Sequence, residues 1–126
     1  MKYKKSILII DDMKHIRDIL WFSLKQEGYR PILAENGQRG LDCLFDKENR
    51  VDLVILDVMM PIMDGYTAAI AIRNCPRTAS LPILVVTAKS DMRHLFEAIP
   101  SVAGFFEKPF DPKALREAVA KAAAGK

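Results

Sequence analysis

The sequence predicts a three-layer α/β/α sandwich, an open parallel sheet with helices on both faces. Three observations carry that prediction. Short apolar runs alternate with stretches of three-four hydrophobic spacing along the whole chain. One run, VDLVIL from Val51 to Leu56, is apolar at five of its six positions, as a central strand buried on both faces requires. Asp11, Asp12, Asp57, Thr87 and Lys108 each stand where such a run ends, and strands of a parallel sheet end on one ligand-binding edge.

The elements follow in order. Ser6 to Ile10 reads as the first strand, and Lys14 to Glu27 as a helix with Ile16, Ile19, Leu20 and Leu24 on one face. Gly28 is placed to end that helix in the left-handed conformation. Arg30 to Ala34 is a second strand, Asn36-Gly37 a turn, and Gln38 to Asp46 a second helix. Val51 to Leu56 precedes a third helix from Gly65 to Arg73. Leu81 to Val86 is a fourth strand, with Pro82 tolerable near its start. Ser90 to Ile99 is a weaker fourth helix, stopped by Pro100. Ala103 to Phe106 is the fifth strand. Asp111-Pro112 then reads as an N-cap with proline at the first helical position, opening a last helix from Lys113 to Ala124. Right-handed crossovers leave few topologies for five such strands.

A length of 126 residues suits a single domain spanning 1–126. Half the residues are hydrophobic and 28% are charged, ordinary globular composition. No apolar stretch is long enough for a bilayer. The opening MKYKKSILII resembles a signal peptide for a few residues, but its apolar part is short and runs into Asp11-Asp12. The net charge of +3 comes with no clustered basic patch beyond MKYKK, whose lysines read as a solvated strand edge. Neither nucleic acid nor membrane is an expected partner. Cys43 and Cys75 lack metal or redox spacing and read as reduced thiols of a cytoplasmic protein.

The residues at the strand ends form an unusual set. A phosphate loop would place glycines after the first strand; this chain places Asp11-Asp12 there. Two carboxylates repel phosphate and attract a cation, and Asp57 from a neighbouring strand adds a third. Carboxylates this close have raised pKa values unless a cation joins them. Hard oxygen ligands with room for water suit Mg²⁺. Aspartate beside a metal can act as a nucleophile toward phosphorus, giving an aspartyl-phosphate. Phosphoryl transfer needs placement and charge neutralisation more than acid–base groups. Lys108 would neutralise part of the transferring charge, and Thr87 would donate a hydroxyl to a phosphoryl oxygen.

With these residues the chain resembles a response-regulator receiver domain of the chemotaxis-regulator type over essentially its whole length. The motifs are Asp11-Asp12, the run from Asp57 through Met59 and Pro61 to Asp64-Gly65, Thr87-Ala88-Lys89, and Lys108-Pro109. Each alone is weak; the four in order at matching strand ends are highly specific. The resemblance implies a flavodoxin-like fold with strand order 2-1-3-4-5. It implies that Asp57 accepts a phosphoryl group from a sensor histidine kinase, a histidine phosphotransfer protein or a small phosphodonor. It implies that Asp12, Asp57 and the backbone carbonyl of Met59 ligate Mg²⁺, and that Asp11 acts through water. The chain would catalyse its own phosphorylation without being an enzyme in the usual sense, and would switch a face toward a downstream target as a monomer or weak homodimer. The competing readings are an aspartyl-phosphate hydrolase, which would want a carboxylate where Met59 stands, a flavin carrier without its phosphate loop, and a receiver-like scaffold that is never phosphorylated.

The same resemblance assigns a switch to Thr87 and Phe105, and an influence on phosphoryl lifetime to Met59 and Lys89. Phe105 has no hydroxyl, so a switch through it runs on packing. Thr87 and Lys108 are one residue closer in sequence than the family pattern, and Pro100-Ser101 stand where a helix would continue. A short or irregular fourth helix is therefore expected. Trp21 and Phe22 lie about 100° apart on the first helix, so both hardly reach the core. His15 and His94 read as surface residues.

Overall fold

The computed structural model describes residues 5–88 and 90–124. Five strands alternate with five helices: β1 (Ser6–Ile10), α1 (Lys14–Gln26), β2 (Arg30–Ala34), α2 (Gly37–Phe45), β3 (Leu53–Leu56), α3 (Gly65–Asn74), β4 (Ile83–Thr87), α4 (Arg93–Glu97), β5 (Val102–Glu107) and α5 (Pro112–Ala124). All strand pairs are parallel, in the order β2-β1-β3-β4-β5. The flavodoxin-like topology is thus the expected one.

Strand alternation divides the core into two layers. Leu8, Ile10, Val54, Leu56, Ile83 and Val85 face one side and meet Leu41, Leu44, Ala68, Ile72 and Phe96 from α2, α3 and α4. Ile7, Ile9, Leu53, Ile55, Leu84 and Val86 face the other and meet Ile16, Leu20, Leu24, Leu115 and Val119 from α1 and α5. Every residue of β1, β3 and β4 is buried. The three central strands therefore fix their C-terminal ends rigidly against each other.

The structure departs from the sequence reading in places with local causes. Ile19 is half exposed, because the buried stripe of α1 follows the i+4 row through Ile16, Leu20 and Leu24. Val51 and Asp52 precede β3. The Asp52 carboxylate accepts the Ser6 amide at 2.9 Å, and the Asp52 amide donates to the Ser6 carbonyl at 2.8 Å. Leu81 and Pro82 likewise precede β4, while Thr87 is its last residue. β5 extends to Val102 and Glu107 and slips register: Ile83 pairs with Val102 but Leu84 with Gly104, so Ala103 is the extra residue of a bulge. Asn36 is an N-cap, its side chain accepting the Arg39 amide, and α2 starts at Gly37. Lys5 donates to the Ala123 carbonyl at 3.0 Å, at the negative end of α5, and is no solvated edge residue.

Other expectations hold. Gly28 follows α1 with φ 92°, and the amides of Gly28 and Tyr29 donate to the Lys25 and Leu24 carbonyls, a Schellman closure. The Lys113 amide donates to Asp111 at 3.1 Å as α5 begins. The fourth helix is a single 3₁₀ turn, Ser90–Met92, followed by the five residues of α4. Trp21 and Phe22 are both exposed, edge to face at 6.5 Å, with the Lys25 ammonium 5.7 Å above the Trp21 ring. His15 and His94 are exposed. No helix among the described residues is long and apolar enough to cross a membrane.

Two adjacent residues set the start of α3 under β3. Asp64 caps the helix by accepting the Thr67 amide at 2.8 Å. Gly65 lies so close beneath β3 that a Cβ would sit 2.0 Å from the Asp57 carbonyl oxygen. Losing an exposed cap costs about 1 kcal/mol, whereas overpacking against backbone costs about 1–3 kcal/mol. Gly65→Ala is therefore expected to lower the urea midpoint more than Asp64→Ala; equal midpoints would show that β3 and α3 can part freely.

Candidate functional site

The ends of β1, β3, β4 and β5 bring the predicted residues together. Asp11 and Asp12 follow β1, Asp57 follows β3, Thr87 ends β4 and Lys108 follows β5. Carboxylate oxygens of Asp11, Asp12 and Asp57 all lie within 4.8 Å of one another. Asp11 and Asp57 are buried, whereas Asp12 is exposed at the mouth. Lys108 reaches in from β5, its ammonium 2.8 Å from Asp11 Oδ2 and 3.5 Å from Asp57 Oδ2.

Each buried carboxylate is held by backbone as well as by charge. Asp11 Oδ1 accepts the Met13 amide at 2.9 Å, so both its oxygens are engaged within the protein. The Asp11 amide donates to the Ala34 carbonyl, and Arg17 donates to the Asp11 carbonyl at 2.8 Å, tying α1 to the turn. Asp57 Oδ1 accepts the Val58 amide at 2.8 Å. The Thr87 hydroxyl, fully buried, donates to the Asp57 carboxylate. The Lys108 amide donates to the Thr87 carbonyl at 2.8 Å, locking the last two groups together.

The electrostatics are unbalanced. Burial pushes the Asp57 carboxyl up from its ordinary range, and the Asp11 charge pushes it further. Lys108, the Val58 amide and the Thr87 hydroxyl oppose the rise without cancelling it. One ammonium thus faces three carboxylates. The donor set fits a hard divalent cation: all oxygen, partly buried, open to solvent at Asp12. Such a cation would remove the imbalance.

Met59 is 55% exposed on the loop after Asp57. Lys89 lies outside the described residues. Phe105 is not among the site groups. It pairs with Val85 in the sheet, two residues before the level of Thr87, and leans on Phe96 of α4 at 6.0 Å. Phe96 in turn meets Tyr66 of α3 edge-on at 5.7 Å, and the Arg93 guanidinium lies 5.3 Å above the Phe105 ring. Sequence reasoning missed Arg17, Phe96, Arg93 and the Val58 amide. Arg17 and Arg93 carry no motif, and a backbone amide gives no signal in sequence. Phe96 gave no signal because its ring partners, Tyr66 and Phe105, lie on distant segments.

Known proteins resemble this chain. The response regulator receiver domain family matches residues 7–120. The transcriptional regulatory protein AfsQ1 of Streptomyces coelicolor is 43% identical over 86 residues, 68% of this chain and 36% of that protein. The chain therefore spans little more than a third of that relative. The response regulator TrrA of Thermotoga maritima, solved in complex with Mg²⁺ and BeF, superposes with a TM-score of 0.82 at 34% identity, covering 94% of this chain and 98% of the other. The chemotaxis protein CheY4 of Vibrio cholerae gives 0.82 at 28% identity, with 94% and 98% covered. By its fold, its strand-end carboxylates and these matches, the chain belongs to the response regulator receiver domains of two-component signalling.

Proposed function

We propose that Asp57 is the phosphoryl acceptor of this receiver domain and that the surrounding groups catalyse the transfer. The observation that carries the reading is Asp57 itself, buried at a strand end with a raised pKa between two other carboxylates and a lysine. A carboxylate oxygen of Asp57 attacks phosphorus, the bond from phosphorus to the donor breaks, and the donor leaves with the electron pair and takes up a proton. The donor is a phosphohistidine of a sensor kinase or phosphotransfer protein, or a small phosphodonor. Lys108, already beside Asp57, stays close to the charge that develops. Thr87 exchanges its bond to the Asp57 carboxylate for one to a phosphoryl oxygen. The Val58 amide keeps the carboxylate oriented.

Asp12, Asp57 and the Met59 carbonyl would hold Mg²⁺, with Asp11 joining through water. The full engagement of both Asp11 oxygens supports that indirect role. When bound, the ion supplies neutralisation of the transferring phosphoryl charge. The reading also places the protein in the cytoplasm, where such kinases present their phosphohistidine.

The signal would leave through β4 and β5. Movement of Thr87 toward the phosphoryl group shifts the end of β4, against which Phe105 is paired. A groove of about 170 Å³ between α4 and β5, lined by Arg93, Phe96, Gly104 and Phe105, lies beside the ring. Turning inward separates it from Arg93, so a short α4 and its cation–π contact would respond together.

Three measurements test these assignments. With acetyl phosphate and Mg²⁺, intact mass should show one added phosphoryl group; it should vanish in Asp57→Ala and persist in Asp64→Ala. Incorporation that survives Asp57→Ala would end the acceptor assignment. In chelator, the raised Asp57 pKa costs stability at neutral pH. Between the ordinary 3.8 and the raised value the folded chain holds a proton that the unfolded chain has released, so this stability is present below 3.8 and lost as pH rises through the folded pKa. Asp57→Asn should accordingly raise the melting temperature at pH 7 by roughly 4 °C, what about 1 kcal/mol gives in a domain of this size. Its advantage should shrink below pH 4, and a gain that grows toward low pH would contradict the assignment. Beryllofluoride with Mg²⁺ should shift the NMR resonances of Phe105 and of Arg93–Glu97; unchanged resonances there would disprove the packing switch.

A further inference from the structure

The Lys108 ammonium has three protons to give, and three acceptors stand around it. Asp11 Oδ2 lies at 2.8 Å and Asp57 Oδ2 at 3.5 Å. The third is the Met13 sulfur, 3.9 Å away. Two of these acceptors are carboxylates. The third is a thioether, a weak acceptor that is easily left. The root of Lys108 is fixed, because its amide donates to the Thr87 carbonyl. Where the ammonium sits in the pocket is therefore decided by the balance among these three groups.

Met13 is anchored beside the ammonium without being used by the fold. It holds the N-cap position of α1, where serine, threonine, aspartate or asparagine would bond the first turn, and its side chain makes no cap bond. Its own amide donates to Asp11 Oδ1 at 2.9 Å, which ties its backbone to the carboxylate that Lys108 bridges. The residue is also 42% exposed. A small solute can reach the side chain, while its sulfur already faces Lys108.

Two-electron oxidants convert such a thioether to a sulfoxide. With hypochlorous acid the sulfur loses two electrons and gains an oxygen, chlorine is reduced to chloride, and one proton is released. The new oxygen stands one bond beyond the sulfur. In one of the two epimers it comes within hydrogen-bond reach of Lys108 Nζ. A weak acceptor becomes a strong one with no change in formal charge.

We infer that Met13 is an oxidation site acting on Lys108: its sulfoxide holds the ammonium on the β1 side of the pocket and slows phosphorylation of Asp57. This rests on the reading of Asp57 as acceptor. The ammonium already lies nearer Asp11 than Asp57. During transfer it must stay close to the charge that develops on the phosphoryl oxygens, and a second strong acceptor beside Asp11 opposes that. Reduction of the sulfoxide by a methionine sulfoxide reductase returns the thioether and releases the ammonium. Met13 is thus a positioning residue, working through Lys108 rather than on the phosphoryl group.

The test treats the wild-type chain, Met13→Leu and Met59→Leu with limiting hypochlorite. Peptide masses locate the sulfoxides, and phosphoryl uptake from phosphoramidate with Mg²⁺ is timed against each chain's own untreated rate. Met59, 55% exposed, is the comparison that meets the same oxidant. Oxidised wild type and oxidised Met59→Leu should slow about tenfold, the scale of one hydrogen bond to a charged group, and should recover with methionine sulfoxide reductases. Oxidised Met13→Leu should stay within twofold of its untreated rate. An equal loss in Met13→Leu would overturn the inference. So would a wild-type chain that carries the sulfoxide at position 13 and keeps its untreated rate, or one in which Met59 oxidises while Met13 does not. A readout without phosphate separates this from the acceptor reading: the side-chain NMR resonances of Lys108 should shift when Met13 is oxidised, and unshifted resonances would also overturn the inference. A shift in a chain that takes up no phosphoryl group even before oxidation would instead end the assignment of Asp57.

Discussion

Burying like charges together is unfavourable unless something compensates, and the carboxyl edge of this sheet is arranged around that problem. Asp11 and Asp57 end adjacent central strands, so their separation is set by the β1–β3 ladder and cannot relax without breaking it. Lys108 bridges both but balances only one charge. The geometry of the neighbours follows. Met13 and Val58 give amides to the two carboxylates, Thr87 gives a hydroxyl, and Arg17 holds the β1 turn through a carbonyl. Gly65 lets α3 start directly beneath Asp57. Each contact steadies a carboxylate without removing its charge, and the site keeps an excess of negative charge.

Much of this was legible in the sequence because periodicity and strand-end position are both local signals. The five strands, the strand order that the family resemblance implies, and the convergence of Asp11, Asp12, Asp57, Thr87 and Lys108 are found as expected. The misreadings fall where tertiary context decides. Nothing local to Ile19 says that the sheet takes the row through Leu20 instead. Val51 has strand propensity, yet the Asp52 carboxylate and amide both turn to Ser6, which ends the ladder there. The missing residue between Thr87 and Lys108 announced an irregular α4, but not the bulge at Ala103 or the stack of Phe105 on Phe96 and under Arg93. Those are contacts between distant segments, and spacing does not encode them.

The two edges of the sheet differ in kind, and the difference separates stability from function. At the amino edge Asp52 accepts the Ser6 amide and the Thr78 hydroxyl donates to the Ile72 carbonyl at 2.7 Å, while the Ser101 hydroxyl is buried without a partner. At the carboxyl edge the chain keeps an unbalanced carboxylate at Asp57 and, at position 62, an exposed isoleucine strained at φ 71°. Asparagine at Asp57 and glycine at Ile62 are both compatible with the backbone, and both remove an unfavourable contribution. Folding alone would therefore replace both residues.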